Sequence, residues 1–283
     1  ELTRLYTVFD DVVACGAARE VWLIGEAGRG KTRLVREFLK RLGGRPRVLW
    51  LEQPPSEGFA FAGLGRQVFG LRAGEDERSA APRVQLQLDE LLPGEARWHH
   101  LILASLELAQ RATWKRIERR SVDRTTLAWR DLLVALTRRP RNAEAGGAQP
   151  LALVVENERR DPALQEVLPL VSGTQAPILL LRTSRRHEGV ERGEVITLPA
   201  LALDDSLRLL GEVASPALRL AATGLVEQVG GVPAYVLELG RALSVASGES
   251  FSGSLASLLQ ARLDMIDVRP RRLLAHAALT GEV

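Results

Sequence analysis

Val21-Trp22-Leu23-Ile24-Gly25-Glu26-Ala27-Gly28-Arg29-Gly30-Lys31-Thr32-Arg33-Leu34-Val35 is the stretch on which the reading of this 283-residue chain turns. Four β-favouring apolar residues precede a glycine-rich turn, after which Leu34, Val35, Phe38, Leu39 and Leu42 recur at helical spacing. The order is strand, G-x-x-x-x-G-K-T, helix. Glycines tolerate φ > 0 and put no Cβ in the way, so successive backbone N–H groups can curl around a phosphate at the positive end of the helix. In such a loop Lys31 reaches the β- and γ-phosphates of a nucleotide, and the Thr32 hydroxyl ligates Mg2+. The candidate nucleotide-binding residues are therefore Gly25, Glu26, Ala27, Gly28, Arg29, Gly30, Lys31, Thr32 and Arg33. Arg33 and Arg36 otherwise stand as exposed helix residues.

At about 100 to 200 residues per domain, the length allows one large domain or two smaller ones with a real core. Apolar residues make up 46% and charged residues 26% of the chain, a globular composition that excludes disordered, collagen-like and disulfide-dense classes. Apolar runs such as Leu151–Val155 and Ile178–Leu181 fall far below the ~18 residues that span a bilayer, and the N-terminus carries no signal-peptide pattern. No membrane partner is expected. Cys15, the single cysteine, is expected as a small core residue on an apolar helix face. It can form neither an internal disulfide nor a cysteine zinc site, which makes a cytoplasmic location the default. Adjacent His99 and His100 point about 100° apart on a helix and do not make a metal site. The missing initiator Met suggests a fragment of a longer protein.

The pI is about 9.5, yet the formal net charge is only +3. Lysine occurs only at 31, 40 and 115, so the basic residues are overwhelmingly arginine, and clusters such as Arg159-Arg160 read as solvated surface. This balance speaks against direct nucleic-acid binding.

Further strands are expected at Arg47–Leu51, Leu151–Val155, Ile178–Leu181 and Val195–Leu198, of which Leu151–Val155 is so apolar that both faces must be covered. Helices are expected at about Phe61–Leu71, Trp98–Arg120, Thr125–Arg139 with Asp123 as N-cap, Asp205–Val213 and Tyr235–Leu243. Residues 72 to 124 leave no clear functional role, and 72 to 96 are the hardest to read.

Gly25 to Phe38, together with the N-terminal helix, the Gly230-Gly231-Val232-Pro233 segment and the final Leu255 to Gly281 stretch in the same order, resembles the ATP-binding domain of the signal-transduction ATPases with numerous domains. These are a branch related to the AAA+ ATPases. The likeness is to the subgroup in large LuxR-type transcription regulators and multidomain nucleotide cyclases, where Gly-Glu-Ala-Gly-x-Gly-Lys-[Ser/Thr]-Arg-Leu is typical. It implies an α/β P-loop NTPase: a parallel five-stranded sheet flanked by helices over 1–200, a helical lid over 201–250, and the truncated start of a helical or winged-helix module over 251–283.

An ATPase of this kind carries, at the end of the strand facing the phosphates, an acid for the Mg2+ shell and then an acid that polarises water. Here those places hold Glu156 and Asn157, with Thr32 and Glu156 as the metal residues. Asn157 is a poor proton acceptor, so slow hydrolysis is expected. The subgroup usually continues Leu-His-Trp-Ala-Asp-Pro, whereas this chain has Glu158-Arg159-Arg160-Asp161-Pro162, where Glu158 or Asp161 are candidate substitutes. The resemblance also makes Thr183 and Arg185 sensors of the γ-phosphate, with an Arg-rich surface loop as the alternative, and gives Pro233 an adenine-side contact.

The function implied is an ATP/ADP-binding, Mg2+-dependent switch inside a larger signalling or transcription regulator. Its partners would be ATP and the effector and sensor modules linked to it, with nucleotide-dependent self-association as a further expectation. The alternative is an active AAA-type ATPase, including one that acts on nucleic acid.

Overall fold

The computed structural model describes residues 1–51, 60–72, 75, 77–106, 122–138, 149–156, 162–187, 190, 192–213 and 223–245. In chain order these form α1 (Leu2–Cys15), β1 (Arg19–Ile24), α2 (Lys31–Leu42), β2 (Arg47–Leu51), α3 (Ala60–Phe69), α4 (Glu77–Leu91), α5 (Ala96–Ser105) and α6 (Val122–Arg138). There follow β3 (Leu151–Glu156), α7 (Pro162–Ser172), β4 (Ile178–Ser184), β5 (Glu194–Thr197), α8 (Leu203–Gly211), α9 (Thr223–Gln228) and α10 (Pro233–Val245). Two compact units result: Glu1–Gly25 with Lys31–Thr197, and Glu26–Gly30 with Leu198–Val283.

In the first unit the strands form a parallel sheet in the order β2-β3-β4-β1-β5. Parallel strands need crossovers that lay helices on both faces, and β3 and β4 are buried almost throughout. On one face Leu49, Leu151, Leu153, Val155 and Leu180 share a core with Phe61 and Trp129, whose rings stack 5.1 Å apart. Alternate residues Val21, Leu23, Val154, Leu179 and Leu181 are buried on the other face. Helix α1 packs against α2, β1 and β4, with Tyr6 and Phe9 of α1 both meeting the Phe38 ring.

At each sheet edge one side chain hydrogen-bonds the strand's backbone. Gln67 of α3 accepts from the Trp50 N–H and donates to the Trp50 carbonyl, each at 2.7 Å. On the opposite edge Arg4 of α1 donates to the Val195 carbonyl at 3.0 Å and pairs with Glu194. Edge strands with unpaired backbone groups invite pairing with other chains, and these contacts occupy both backbone groups of Trp50 on β2 and the Val195 carbonyl on β5.

The second unit, as far as it is described, is helical around Leu210, Val226, Val229, Val236, Leu239 and Leu243. Its turn into α10 admits only glycine at 231: φ is +65°, and a Cβ would stand 2.3 Å from the Leu201 carbonyl oxygen. The Leu201 N–H donates to the Gly231 carbonyl at 2.8 Å. Pro233 then opens α10, where its missing N–H costs nothing.

Several expectations change. Cys15 is exposed rather than in the core: Gly16, in the left-handed conformation, ends α1 directly after it. The unreadable stretch contains α4, whose interior Pro82 masks the helical signal. Helix α7, also interrupted by a proline, Pro169, was not anticipated. Asp123 lies within α6 rather than capping it, α8 starts at Leu203 instead of Asp205, and β4 runs on through Arg182 to Ser184. Residues 107–120, Asn157, Glu158, Asp161 and the terminal stretch from 246, including the module expected at 251–283, lie outside the described residues. No helix among the described residues is long and apolar enough to cross a membrane.

Ser206 in α8 is fully buried, and its Oγ has no hydrogen-bond partner among the described residues. An unsatisfied buried hydroxyl costs roughly 1–3 kcal/mol, more than the loss of its few contacts. Ser206→Ala is expected to raise the melting temperature, with a gain of about 1 kcal/mol in a denaturant titration; a loss of stability would show that the hydroxyl is satisfied in solution.

Candidate functional site

The carboxyl ends of β1, β4 and β3 stop at one level because the pairing is in register: Leu23 is opposite Thr183, and Thr183 is opposite Glu156. Residues paired laterally in a sheet share a face, so Leu23, Thr183 and Glu156 lie on the same side. The Gly25 N–H donates to the Ser184 carbonyl at 3.1 Å, carrying the pairing one residue into the loop. Open α/β sheets bind ligands at this end of their strands.

Helix α2 starts at Lys31 and has no acidic residue in its first turn, so nothing there opposes the positive end of its dipole. The Lys31 Nζ donates to the Gly25 carbonyl, and the Thr32 Oγ1 donates to Glu156 Oε1 at 2.8 Å. Arg185 is the first residue after β4 and is exposed. It is presented by a turn in which the Ser184 Oγ donates to the Arg186 carbonyl at 2.8 Å and accepts from the Arg186 N–H at 3.3 Å. Burial holds the Lys31 ammonium below the ordinary lysine value, the Arg185 charge lowers it further, and Glu156 acts in the opposite sense.

A hydroxyl and a carboxylate are hard oxygen donors. Mg2+ is usually held by one or two carboxylates and by substrate phosphates, keeping several waters, rather than by an all-protein cage. The Thr32–Glu156 pair fits that ion. Among the described residues no group of three or more His, Cys, Asp or Glu could hold a metal by itself.

In the second unit, the loop 26–30 is shaped by Gly28 and Gly30, with φ of +80° and +89°. The Gly28 carbonyl accepts from the Ala234 N–H at 3.2 Å. A Cβ on Gly28 would stand 2.9 Å from Val232 Cγ1 and 3.0 Å from Ala234 Cβ, so the glycine is also needed for this close approach. Pro233 lies between those two neighbours.

The structure thus gathers Gly25, Lys31, Thr32, Glu156, Thr183 and Arg185 within the first unit, and places Glu26, Ala27, Gly28, Arg29 and Gly30 with Pro233 in the second. Thr183 is buried, and Arg33 is an exposed residue of α2. Three features had no sequence signal of their own: the Gly25 carbonyl as acceptor for Lys31, the Ser184 turn that presents Arg185, and Val232 and Ala234 as the residues packed on Gly28.

A model of the AAA ATPase domain matches residues 1–181. No curated protein matches in sequence. Solved structures that are similar include a signal transduction ATPase with numerous domains and a tetratricopeptide repeat sensor from Pyrococcus horikoshii, at 13% identity and a TM-score of 0.41. That alignment covers 95% of this chain and 34% of the other, so the chain spans about a third of that protein's length. Another is a Walker-type ATPase from Pyrococcus abyssi, at 14% identity and a TM-score of 0.41, covering 92% of this chain and 71% of the other.

The lowered Lys31 value has a consequence for anion binding. Phosphates beside the ammonium favour its charged form and raise its pKa, so binding takes up a proton at any pH between the free and bound values. ATP affinity is therefore expected to be full at neutral pH and to fall as the pH rises through the free Lys31 value, beginning below the ordinary 10.5. In Lys31→Ala the affinity should be lower at neutral pH by at least about tenfold and lose this alkaline slope. Calorimetry in buffers of different ionisation enthalpy measures both; an undiminished affinity would overturn the assignment of Lys31.

Proposed function

Because the chain belongs to the family of AAA ATPase domains, we propose that it binds ATP and ADP with Mg2+ through Gly25 to Thr32 and serves as a nucleotide-operated switch in a larger signalling or transcription regulator. The observation that carries this is the convergence of Lys31, Thr32, Glu156 and Arg185 at the ends of β1, β3 and β4. Backbone N–H groups of the loop and of the first turn of α2 hold phosphate oxygens, and Lys31 supplies a point charge to the β- and γ-phosphates. Mg2+, when bound, neutralises charge on the phosphate oxygens. Thr32 and Glu156 would hold it, the hydroxyl directly and the carboxylate directly or through water.

The hydrolytic step is the weak one in this proposal. Glu156 is followed by Asn157, whose amide neither takes a proton from water nor carries a charge to orient it. A slow step leaves ATP resident, which suits a switch whose state is read rather than spent. Arg185 stands where a cation would meet the γ-phosphate, Thr183 beside it is the polar sensor, and Pro233 is assigned to the adenine side. A ligand shifts a conformational equilibrium only through contacts that differ between the two states, and the γ-phosphate is the group that separates ATP from ADP.

The remainder follows from the resemblance of Gly25–Phe38. Residues 1–200 form the nucleotide-binding domain, 201–250 the lid, and 251–283 the start of a helical or winged-helix module. Effector and sensor modules are the linked partners, the setting is cytoplasmic, and self-association depends on the nucleotide. Nucleic acid is not a direct partner of this part of the chain, given a net charge of +3.

Two variants test the switch and the slow step separately. Arg185→Ala is expected to weaken ATP binding roughly fivefold or more while ADP changes by less than about twofold, since only ATP offers the phosphate that the guanidinium meets. Equal losses for both nucleotides would remove Arg185 from the sensor role. Asn157→Asp is expected to raise the steady-state ATPase rate at least about tenfold without tightening ATP binding, because a general base acts only in the chemical step. A brisk wild-type rate that this substitution leaves unchanged would favour an active ATPase in which Glu158, Asp161 or another group serves the water.

A further inference from the structure

The two strands that lead to Gly25 and to Arg185 are joined, shortly before they end, by a buried polar layer. Arg182 of β4 pairs in register with Trp22 of β1, and its guanidinium carbon lies 3.9 Å from the centre of the indole ring. The same guanidinium forms an ion pair with Glu20, two residues back on the same face of β1. The side chains of Arg182 and Glu20 are 11% and 7% exposed.

The layer extends into the connection between β4 and β5. The Trp22 indole N–H donates to the Arg192 carbonyl at 3.1 Å. Gly193, with φ of +96°, approaches so closely that a Cβ would stand 2.7 Å from the Glu20 carbonyl oxygen. At the other end of the connection, the Ser184 carbonyl accepts the Gly25 N–H. The segment that begins with Arg185 is therefore fastened at both ends to β1.

Stability does not account for this arrangement. Taking two charges out of water costs several kcal/mol per ion, and replacing a buried pair by apolar residues of similar volume is often neutral or stabilising. What an apolar pair does not supply is direction: the planar fork of Arg182 meets the Glu20 carboxylate in a defined geometry while its face lies on Trp22. We propose that Arg182, with Glu20 and Trp22, is a positioning residue for Arg185: the layer sets the β4–β5 connection against the strand that leads to Gly25, and so places the Arg185 cation relative to Lys31. This rests on the proposed reading of Arg185 as the group that distinguishes ATP from ADP.

The test uses the whole chain. Removing one member of the pair strands a buried charge, so the decisive variant is the double substitution Glu20→Leu with Arg182→Met. Trp22→Phe is the milder one, keeping a ring under Arg182 but deleting the N–H to Arg192. Melting temperature, amide hydrogen exchange at residues 185–187 and 192–193, and affinities for ATP and ADP are measured for both and for Arg185→Ala. In the double variant the melting temperature is expected to stay within about 3 °C. Exchange at those amides should rise at least about tenfold. The preference for ATP over ADP should fall at least about threefold, with ADP affinity held within about twofold. Trp22→Phe should shift exchange in the same direction, mainly at 192–193, and it carries the test if the double variant fails to fold. Unchanged exchange in a folded variant would overturn the proposal, as would raised exchange with an unchanged nucleotide preference while Arg185→Ala weakens ATP alone. If Arg185→Ala spares ATP, the sensor reading is what fails, and exchange at 185–187 alone then decides whether the layer holds the connection.

Discussion

Everything at the candidate site depends on the parallel register of β3, β4 and β1. Because Glu156, Thr183 and Leu23 occupy one rung of the sheet, three loops leave it at the same level, and residues 132 positions apart in the chain, Ile24 and Glu156, end strands that flank β4 on either side. A slip of one residue would turn every side chain of a strand to the opposite face. In β4 that would exchange Thr183 for Arg182 or Ser184 beside Glu156 and put the Arg182 guanidinium among the apolar residues of the other face. Apolar burial on both sides of the sheet makes such a slip costly, so packing far from the site holds its geometry.

The charges gathered there make sense as a receptor for a polyanion. Half-buried Lys31 and exposed Arg185 place two cations near one carboxylate, and burial first, then the Arg185 charge, lowers the Lys31 value. The Gly25 carbonyl accepts from Lys31, and Glu156 accepts from Thr32. On the proposed reading, a triphosphate would offer more negative charge and better-directed oxygens than either and would exchange for these contacts. On the same reading, the partial burial that lowers the Lys31 value would strengthen its attraction to a bound phosphate.

Glycine and proline in the 26–30 loop and the 230–234 turn act together. Gly28 leaves room for Val232 and Ala234, Gly231 leaves room for the Leu201 carbonyl, and Pro233 starts α10 between the residues that touch Gly28. The glycine-rich loop is thus also the seat for the first turn of a helix more than 200 residues later in the chain.

The local code determined a good deal. The apolar run before Gly25 and the 3.6-residue pattern after Lys31 specify β1, the loop and α2, and short apolar runs bounded by glycine, proline or polar residues mark the other four strands, because these are signals of near neighbours. The family follows from the same stretch, and the resemblance it carries singled out Glu156, Thr183 and Arg185 at the ends of two strands. Helices α4 and α7 stayed hidden because Pro82 and Pro169 break the expected pattern while tertiary packing on the core tolerates them. Cys15 follows the apolar stripe of Leu5, Val8, Phe9 and Val12 by periodicity, yet the helix ends there and leaves it at the surface. The strand order, the rung shared by Glu156 and Thr183, and the burial of Arg182 between Glu20 and Trp22 were decided only by the tertiary structure. Partners on separate segments, 27 residues apart at the Glu156–Thr183 rung and 162 apart for Glu20 and Arg182, leave no periodicity in either segment, and a buried arginine is stable only where another strand brings it a carboxylate and a ring.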